Sequence, residues 1–494
     1  MIYWKCLGSR TSFALAWAPM LALSAAGAGC GGPTVSGASG TGGASPAGFG
    51  GSIGTGGSGR LPTQDAATGD ASGNGGDAPG AGDAPPAEGG PLSCPVMPIP
   101  GDCSPPADIR CPYPKLSQTG CMDPANPFQL AASVVPYEVN SPLWSDGAIK
   151  TRGMKIPAGK KIHVKDCMKN PDECKVGDPS NYPNFLPPYD DGKWVFPVGT
   201  VMVKNFMYPD TSVKSGMKFV ETRLLVHFDD KTWVGYGYQW NEAQTEATVV
   251  GDPVIDPTFI PAGQDVAVQA TFNLTTAAGK KTVTWYYPDR AGCMKCHVDT
   301  ENNVPFPHIV TGGFVLGPET VQMNRMVLAA NGVDKINQID KLKALNLFDV
   351  PPPMPYKVGL VAPYAGQAGT PPANATLEQR ARSYLHANCS FCHRPDAPVF
   401  YAMDLRYDVP LRSTNICNVS ADKGDQGVTG ALRLIPGDPM KSVIWLRMNA
   451  PADSLDQTVR HGRMPQLASY VVDSDATTLI SDWIKQLPPA SCAP

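Results

Sequence analysis

The chain of 494 residues is 42% hydrophobic and 17% charged, enough apolar side chain for two or three cores and too much for a wholly disordered protein. A formal net charge of −4, with no long run of Lys and Arg, gives no argument for a nucleic-acid partner, and none is expected. Fourteen cysteines are many for a reducing compartment and point to an oxidising one.

Residues 1–30 carry Lys5 and Arg10, an apolar stretch over 12–23 and small residues up to Cys30, the pattern of a secretory signal. The run from Leu23 to Cys30 resembles a lipoprotein signal, in which the cysteine becomes the lipidated first residue of the mature chain. Ordinary cleavage near the alanines, leaving Cys30 in the mature tail, is the other arrangement. The expectation is export to the periplasm or outer membrane of a bacterium, with an N-terminal lipid anchor as the only membrane association. Residues 31–92 follow as a tether: 31–90 hold 21 glycines in 60 residues and one basic side chain, Arg60. Such a segment buries too little apolar area to offset the entropy of ordering.

Residues 93–310 read as a β-rich domain. Apolar and polar residues alternate over 194–196, 200–206, 219–228, 233–240, 266–274 and 281–287, between Gly, Pro and Asp punctuation. The expectation is an antiparallel sandwich or barrel. Eight cysteines remain once Cys6, Cys30 and four in the motifs below are set aside: Cys94, Cys103, Cys111, Cys121, Cys167, Cys174, Cys417 and Cys492. Eight allow about 105 pairings. The pairs expected first are Cys167 with Cys174, across a short polar loop, and Cys417 with Cys492, the leftover cysteines of the C-terminal part.

The last β run feeds Cys293-Met-Lys-Cys296-His297, and a second copy of this C-x-x-C-H form stands at Cys389-Ser-Phe-Cys392-His393. The spacing has a chemical purpose. Two thiols three positions apart form thioethers to the two vinyl groups of one porphyrin, and the adjacent imidazole coordinates iron. A zinc site or a dithiol redox site has no need of a histidine directly after each pair. Two covalently bound haem c groups are therefore expected, with His297 and His393 as iron ligands. The sixth ligand of the first haem stays open among His308, His163, His227 and Met323; Met294 lies inside the attachment loop and is too close to reach across.

Beyond the first motif, 318–331 and 335–347 suggest two helices within a helical segment over 311–349. A proline-rich linker over 350–375 follows, seven of residues 350–374 being proline, and reads as an extended connector at a domain boundary. In the last part, 376–494, a capping box of Thr376 and Gln379 opens a helix that delivers the chain into Cys389, with Leu377, Ala381, Tyr384 and Leu385 on one stripe. Asp473 or Ser474 caps a closing helix with apolar Ala476, Leu479, Ile480, Trp483, Ile484 and Leu487, stopped by Pro488 and Pro489. The stretch 433–448 reads as a Pro-Gly turn and a helix lining the pocket, with Trp445 and Leu446 either against the porphyrin or in ordinary core packing. His386 and His461 are expected at the surface.

A helix leading into C-x-x-C-H, Met464 followed by Pro465 on a loop, and a closing amphipathic helix resemble the class I cytochrome c fold. That resemblance implies Met464 as the distal ligand of the second haem, with Met448 and Met403 as packing residues. Six further segments extend the likeness. They are Asn140-Ser-Pro-Leu-Trp-Ser-Asp-Gly-Ala148, Phe196-Pro-Val-Gly-Thr200, Glu221-Thr-Arg-Leu-Leu225, Tyr236-Gly-Tyr-Gln-Trp-Asn241, Leu316-Gly-Pro-Glu-Thr320 and Leu377-Glu-Gln-Arg-Ala-Arg382. With the two motifs and Arg463-Met-Pro465, they resemble a largely uncharacterised family of bacterial dihaem c-type cytochromes over residues 127–487. The resemblance implies two haems and export, and names no substrate.

The expected architecture is thus multidomain, a β-rich domain carrying haem one and an α-helical, class I cytochrome c-like domain carrying haem two. The expected role is electron transfer in the cell envelope, toward a redox partner protein in the periplasm or envelope. The alternative is a dihaem peroxidase-like oxidoreductase with an open coordination position on haem one. A third arrangement uses the β-rich domain to bind the redox partner.

Overall fold

The computed structural model describes residues 101–174, 191–230, 232–250, 268–288, 290–297, 315–329, 331–366, 369–395, 403–450, 463–465 and 469–492. The expected signal, Cys30, the glycine-rich tether, His308 and His461 lie outside the described residues. Among the described residues no helix is long and apolar enough to cross a membrane.

The period-two runs form strands. Six of them make one antiparallel sheet: β1 (Val135–Pro136), β2 (Ile149–Lys155), β3 (Val201–Pro209), β4 (Met217–Asp229), β5 (Thr232–Trp240) and β6 (Ala247–Val249). Their order across the sheet, β6-β5-β4-β3-β2-β1, follows the chain, so each pairs with its sequence neighbour as in a meander. The sheet has β1 and β6 at its two edges and is layered, not closed. Alternation separates its faces. Val201, Val203, Leu224, Val226, Val234, Tyr236 and Tyr238 enter a core with Leu116 and the Cys103–Cys121 disulfide. Residues in between, Arg152, Met202, Lys204, Arg223, Leu225 and Gly235, turn to the other side.

A hairpin of β7 (Val268–Thr276) and β8 (Gly279–Tyr287) packs over part of that second side. Phe272, Leu274, Val283, Trp285 and Tyr287 pack with Phe206, Tyr208 and Val220. The end of β8 runs through Pro288 toward α1 (Arg290–His297), which carries the first motif. A small sheet of Ile162–Val164, Trp194–Val195 and Phe348–Val350 covers one end.

The two helices expected over 318–331 and 335–347 are replaced by a shorter design. α2 (Thr320–Met323) is one turn, a hairpin of Met326–Leu328 and Lys335–Asn337 follows, and α3 (Gln338–Ala344) begins where the Asn337 side chain accepts a hydrogen bond from Ile339 N–H. The reversal passes through Gly332 at φ 70°, a backbone state that a continuous right-handed helix excludes. Buried Gln322 and Gln338 stitch this segment to 138–141: each amide oxygen accepts from a backbone N–H, of Ser141 and Glu138, and each amide nitrogen donates to the carbonyl of the same residue.

The proline-rich stretch is a packed strap, not a loose connector. Leu360 and Ala362 are buried, Leu360 N–H donates to Val321 O, Val361 N–H donates to Ser383 Oγ, and Tyr364 OH donates to Asp473. The described residues accordingly fall in one compact unit. Beyond the strap, α4 (Leu377–Asn388) opens with the expected reciprocal Thr376/Gln379 box, and α6 (Ser474–Gln486) is capped by Asp473. They share a core with α5 (Val443–Asn449), in which Ala381, Tyr384, Leu385, Met448, Leu479, Ile480, Trp483 and Ile484 are buried.

Both expected disulfides form, Cys167–Cys174 and Cys417–Cys492. Their sequence separations are 7 and 75, and that of Cys103–Cys121 is 18. Loop-closure entropy assigns the three bridges about 2, about 4 and about 3 kcal/mol. Double alanine variants in denaturant unfolding under oxidising conditions are expected to lose stability in the order Cys417/Cys492, Cys103/Cys121, Cys167/Cys174; an inverted order contradicts the entropic account.

Candidate cofactor site

The two C-x-x-C-H motifs arrive from different directions. α1 lies on β5 at Gly235: a Cβ built there would sit 2.8 Å from both Cβ and Sγ of Cys293, so only glycine lets the helix approach so closely. The second motif is the continuation of α4, whose last residue, Asn388, is locked to the β-rich part. Trp144 N–H donates to Asn388 Oδ1 (2.6 Å), and the Asn388 amide donates to Pro142 O (3.4 Å) and Tyr384 O (3.0 Å). The same 141–148 segment holds the C-terminal part a second time: Trp144 Nε1 donates to Val471 O (3.0 Å), and Val471 N–H donates to Asp146 Oδ1 (2.8 Å).

The result is one cavity of ≈ 530 Å³ whose wall includes all six motif residues, Cys293, Cys296, His297, Cys389, Cys392 and His393. This volume falls within the roughly 300–1,000 Å³ of cofactor pockets. Cys296 and Cys392, one from each motif, are close enough to influence one another; Cys392 and burial hold the Cys296 thiol well above its ordinary range. Burial and Cys392 push the Cys389 thiol up to about 12. Burial, reinforced by Arg447 and Arg433, pushes His393 down to about 4, which leaves a neutral imidazole at physiological pH. Among the described residues the cysteines outside disulfides are the four motif thiols, and no cluster of three or more His, Cys, Asp or Glu is placed to hold a bare metal ion.

Met464 lies in the wall, as do Met403 and Met448. Its loop is fixed by the buried Arg463 guanidinium, which donates to Ala450 O (2.6 Å), Ser469 O (2.8 Å) and Tyr470 O (2.8 Å), while Met464 N–H donates to Arg447 O (2.9 Å). α5 reaches the cavity through Val443, Ile444, Arg447 and Met448. Trp445 instead donates its indole N–H to Thr477 O (3.0 Å) and packs with the helical core. Of the open candidates for the first haem, His163 pairs with Glu173 and Asp349, His227 stacks on Trp233 at 4.3 Å, and Met323 is buried where Gln338 Nε2 donates to its sulfur (3.4 Å). None of these three belongs to the cavity wall.

His386, expected at the surface, is buried and faces the cavity. Its Nδ1 accepts from Tyr407 N–H (3.0 Å), which leaves Nε2 to donate to Glu319 Oε1 (2.7 Å). The reason is tertiary: the last turn of α4 is covered by the segment ahead of α2, 67 residues upstream. A second group that periodicity misses is the row Arg152, Lys204 and Arg223 on the sheet face toward the cavity. Their register was open to no sequence signal, since each stands on a different strand.

Burial raises the Glu319 carboxyl, but His386 and Arg394 outweigh it and the net position is below the ordinary value of 4.5. A carboxylate depressed in the folded state stabilises the fold above its unfolded pKa and loses that contribution as pH falls through the folded one. Glu319→Gln is expected to cost about 1.5–3 kcal/mol near neutral pH, the range for hydrogen bonds to charged groups. The gap from the parent should narrow as pH drops below 4.5; a gap constant with pH in chemical denaturation contradicts the pairing.

Compared with known protein families, curated proteins and solved structures, the chain matches none.

Proposed function

We propose that the protein is a dihaem c-type cytochrome that transfers electrons in the bacterial cell envelope, with one haem at Cys293, Cys296 and His297 and the other at Cys389, Cys392 and His393. The observation that carries this reading is that the described cysteines left outside disulfides are those of two C-x-x-C-H motifs, and both motifs open on one cavity. The donor set fits covalent haem: paired thiols for thioethers, a neutral imidazole at His393, and a wall of apolar side chains, methionines and cations. When bound, each haem supplies an iron that cycles between ferric and ferrous states.

The residues of the chain do the rest. His297 and His393 serve as proximal ligands, and Gly235 gives Cys293 its place against the sheet. The Arg463-pinned loop presents Met464, whose thioether favours ferrous iron and raises the potential of haem two. The helix α4 entering the motif, the Met464-Pro465 loop and the closing α6 support reading the C-terminal part as class I cytochrome c-like. Trp144, Asn388, Glu319 and His386 hold the two attachment sites toward each other, which keeps the donor and acceptor groups close and limits reorganisation. Export with a lipid anchor at Cys30, and a redox partner protein in the periplasm or envelope, complete the proposal.

Intact mass of the mature protein is expected to equal the polypeptide plus two haems, and to lose one haem in Cys293→Ala/Cys296→Ala and one in Cys389→Ala/Cys392→Ala. An unmodified polypeptide from cells competent in haem attachment refutes the reading. Gly235→Val should also lose one haem, because the new side chain occupies the position of Cys293 Sγ; retention of two refutes the close approach. Met464→Ala should lower the potential of the higher-potential haem and abolish the near-infrared His/Met band in magnetic circular dichroism; an unchanged band assigns the distal ligand elsewhere.

A further inference from the structure

We propose that Arg152, Lys204 and Arg223 form a carboxylate-receiving site, occupied by the two propionates of the haem at Cys293 and Cys296; the inference rests on the dihaem reading. Strand register sets the three cations in line. Arg152 stands opposite Lys204 across β2 and β3, and Lys204 opposite Arg223 across β3 and β4. Residues directly opposite in an antiparallel pair share a face, and like charges so placed destabilise the sheet unless an anion lies between them. All three line the cavity.

The charge is concentrated around a single buried ring. The Arg223 guanidinium carbon lies 4.5 Å, the Lys204 ammonium 5.1 Å and the Lys150 ammonium 5.8 Å from the centroid of Phe206. Glu221 is hydrogen-bonded to Arg223, accepting from Nε and Nη2 at 2.8 Å, its Oε2 also accepts from Trp285 Nε1 at 2.9 Å, and its charge reaches Lys204 without a hydrogen bond. Among the described residues neither Lys204 nor Arg152 has an ion-pair or side-chain hydrogen-bond partner. Three other cations of the cavity wall come with carboxylates: Lys357 with Asp191 (2.5 Å), Arg406 with Asp404 (2.6 Å) and Arg433 with Asp422 (2.5 Å). Burial and the nearby Arg152 and Arg223 push the Lys204 ammonium well below its ordinary range, so Lys204 and Arg152, facing a cofactor cavity without such partners, call for negative groups to offset that cost.

The direction of the row matches the haem. Gly237 continues it on β5, opposite Arg223, and lies one pleat from Gly235, where Cys293 touches the sheet. At about 4.8 Å per strand, Arg223, Lys204 and Arg152 stand about 5, 10 and 14 Å from β5. The row therefore leads away from the Cys293 attachment, with Lys204 still within electrostatic reach of Cys296. In protohaem the vinyl groups that become thioethers and the two propionates occupy opposite edges of the macrocycle, so the propionates belong at the far end of the row, beside Lys204 and Arg152.

A free small carboxylate has the same chemistry, and the test separates the two sources. Resonance Raman spectra of the haem-loaded protein resolve propionate bending bands, whose frequency follows hydrogen bonding. Intact mass is taken first on every variant, so that absence of haem from the parent counts against the dihaem reading and not against this one. With two haems attached, Lys204→Met and Arg152→Met are expected to lower the bending frequency of one haem and leave the other unchanged. Lys204→Arg should retain the parent band, and added acetate should leave it in place. Unchanged bands in both methionine variants overturn the proposal. So does a saturable optical response of the parent to acetate that Lys204→Met abolishes, which assigns the row to a free anion. Should Lys204→Met fail to accumulate, Arg152→Met on the outer strand decides by the same bands.

Discussion

The clamp between the 141–148 segment, Glu319 and α4 is the constraint on which the rest of the structure depends. Helix α4 ends in the second motif, and its last turn is held by two side chains: His386, bonded to Glu319, and Asn388, bonded to Trp144 and Pro142. Both bonds connect segments far apart in sequence and remove polar groups from water, so leaving either partner unmet is costly. With α4 fixed in this way, Cys392 comes to Cys296 and both motifs face one cavity. What the fold adds to the two motif loops is the orientation of one toward the other.

The six-stranded sheet provides the second half of that chamber through ordinary strand alternation. One face buries an aliphatic and tyrosine core with the Cys103–Cys121 bridge behind it, which anchors the strands. The opposite face packs in part against the β7–β8 hairpin and the small sheet, and carries Arg152, Met202, Lys204, Arg223, Leu225 and Gly235 toward the cavity. Gly235 leaves room for α1 at Cys293, and Arg152, Lys204 and Arg223 cross the sheet beside it. The same alternation that stabilises the fold thus sorts its chemistry onto one side.

Local signals were legible in the sequence, and long-range partnerships were not. Period-two patterning located the long strands, the Thr376/Gln379 box located the start of α4, and the stripe from Ala476 to Ile484 located α6. The short loop between Cys167 and Cys174 and the isolation of Cys417 and Cys492 were enough to pair them. His386 reads as a surface residue because its partner Glu319 is 67 positions away. The cationic row is invisible until register sets three strands side by side. Over 326–337 a mildly apolar run imitates a helix, and the Asn331-Gly332 turn signal inside it decides for a hairpin. Trp445 misleads in another way: an indole is a natural porphyrin neighbour, yet Thr477 O and the helical core take it first.

The central claim is that both haems share one chamber, and electron paramagnetic resonance of the fully oxidised protein tests it most directly. Two ferric haems in one cavity should couple magnetically, giving a spectrum that differs from a sum of isolated low-spin signals. Cys293→Ala/Cys296→Ala should reduce it to one uncoupled signal. A parent spectrum equal to the sum of the two single-haem variants would contradict the account.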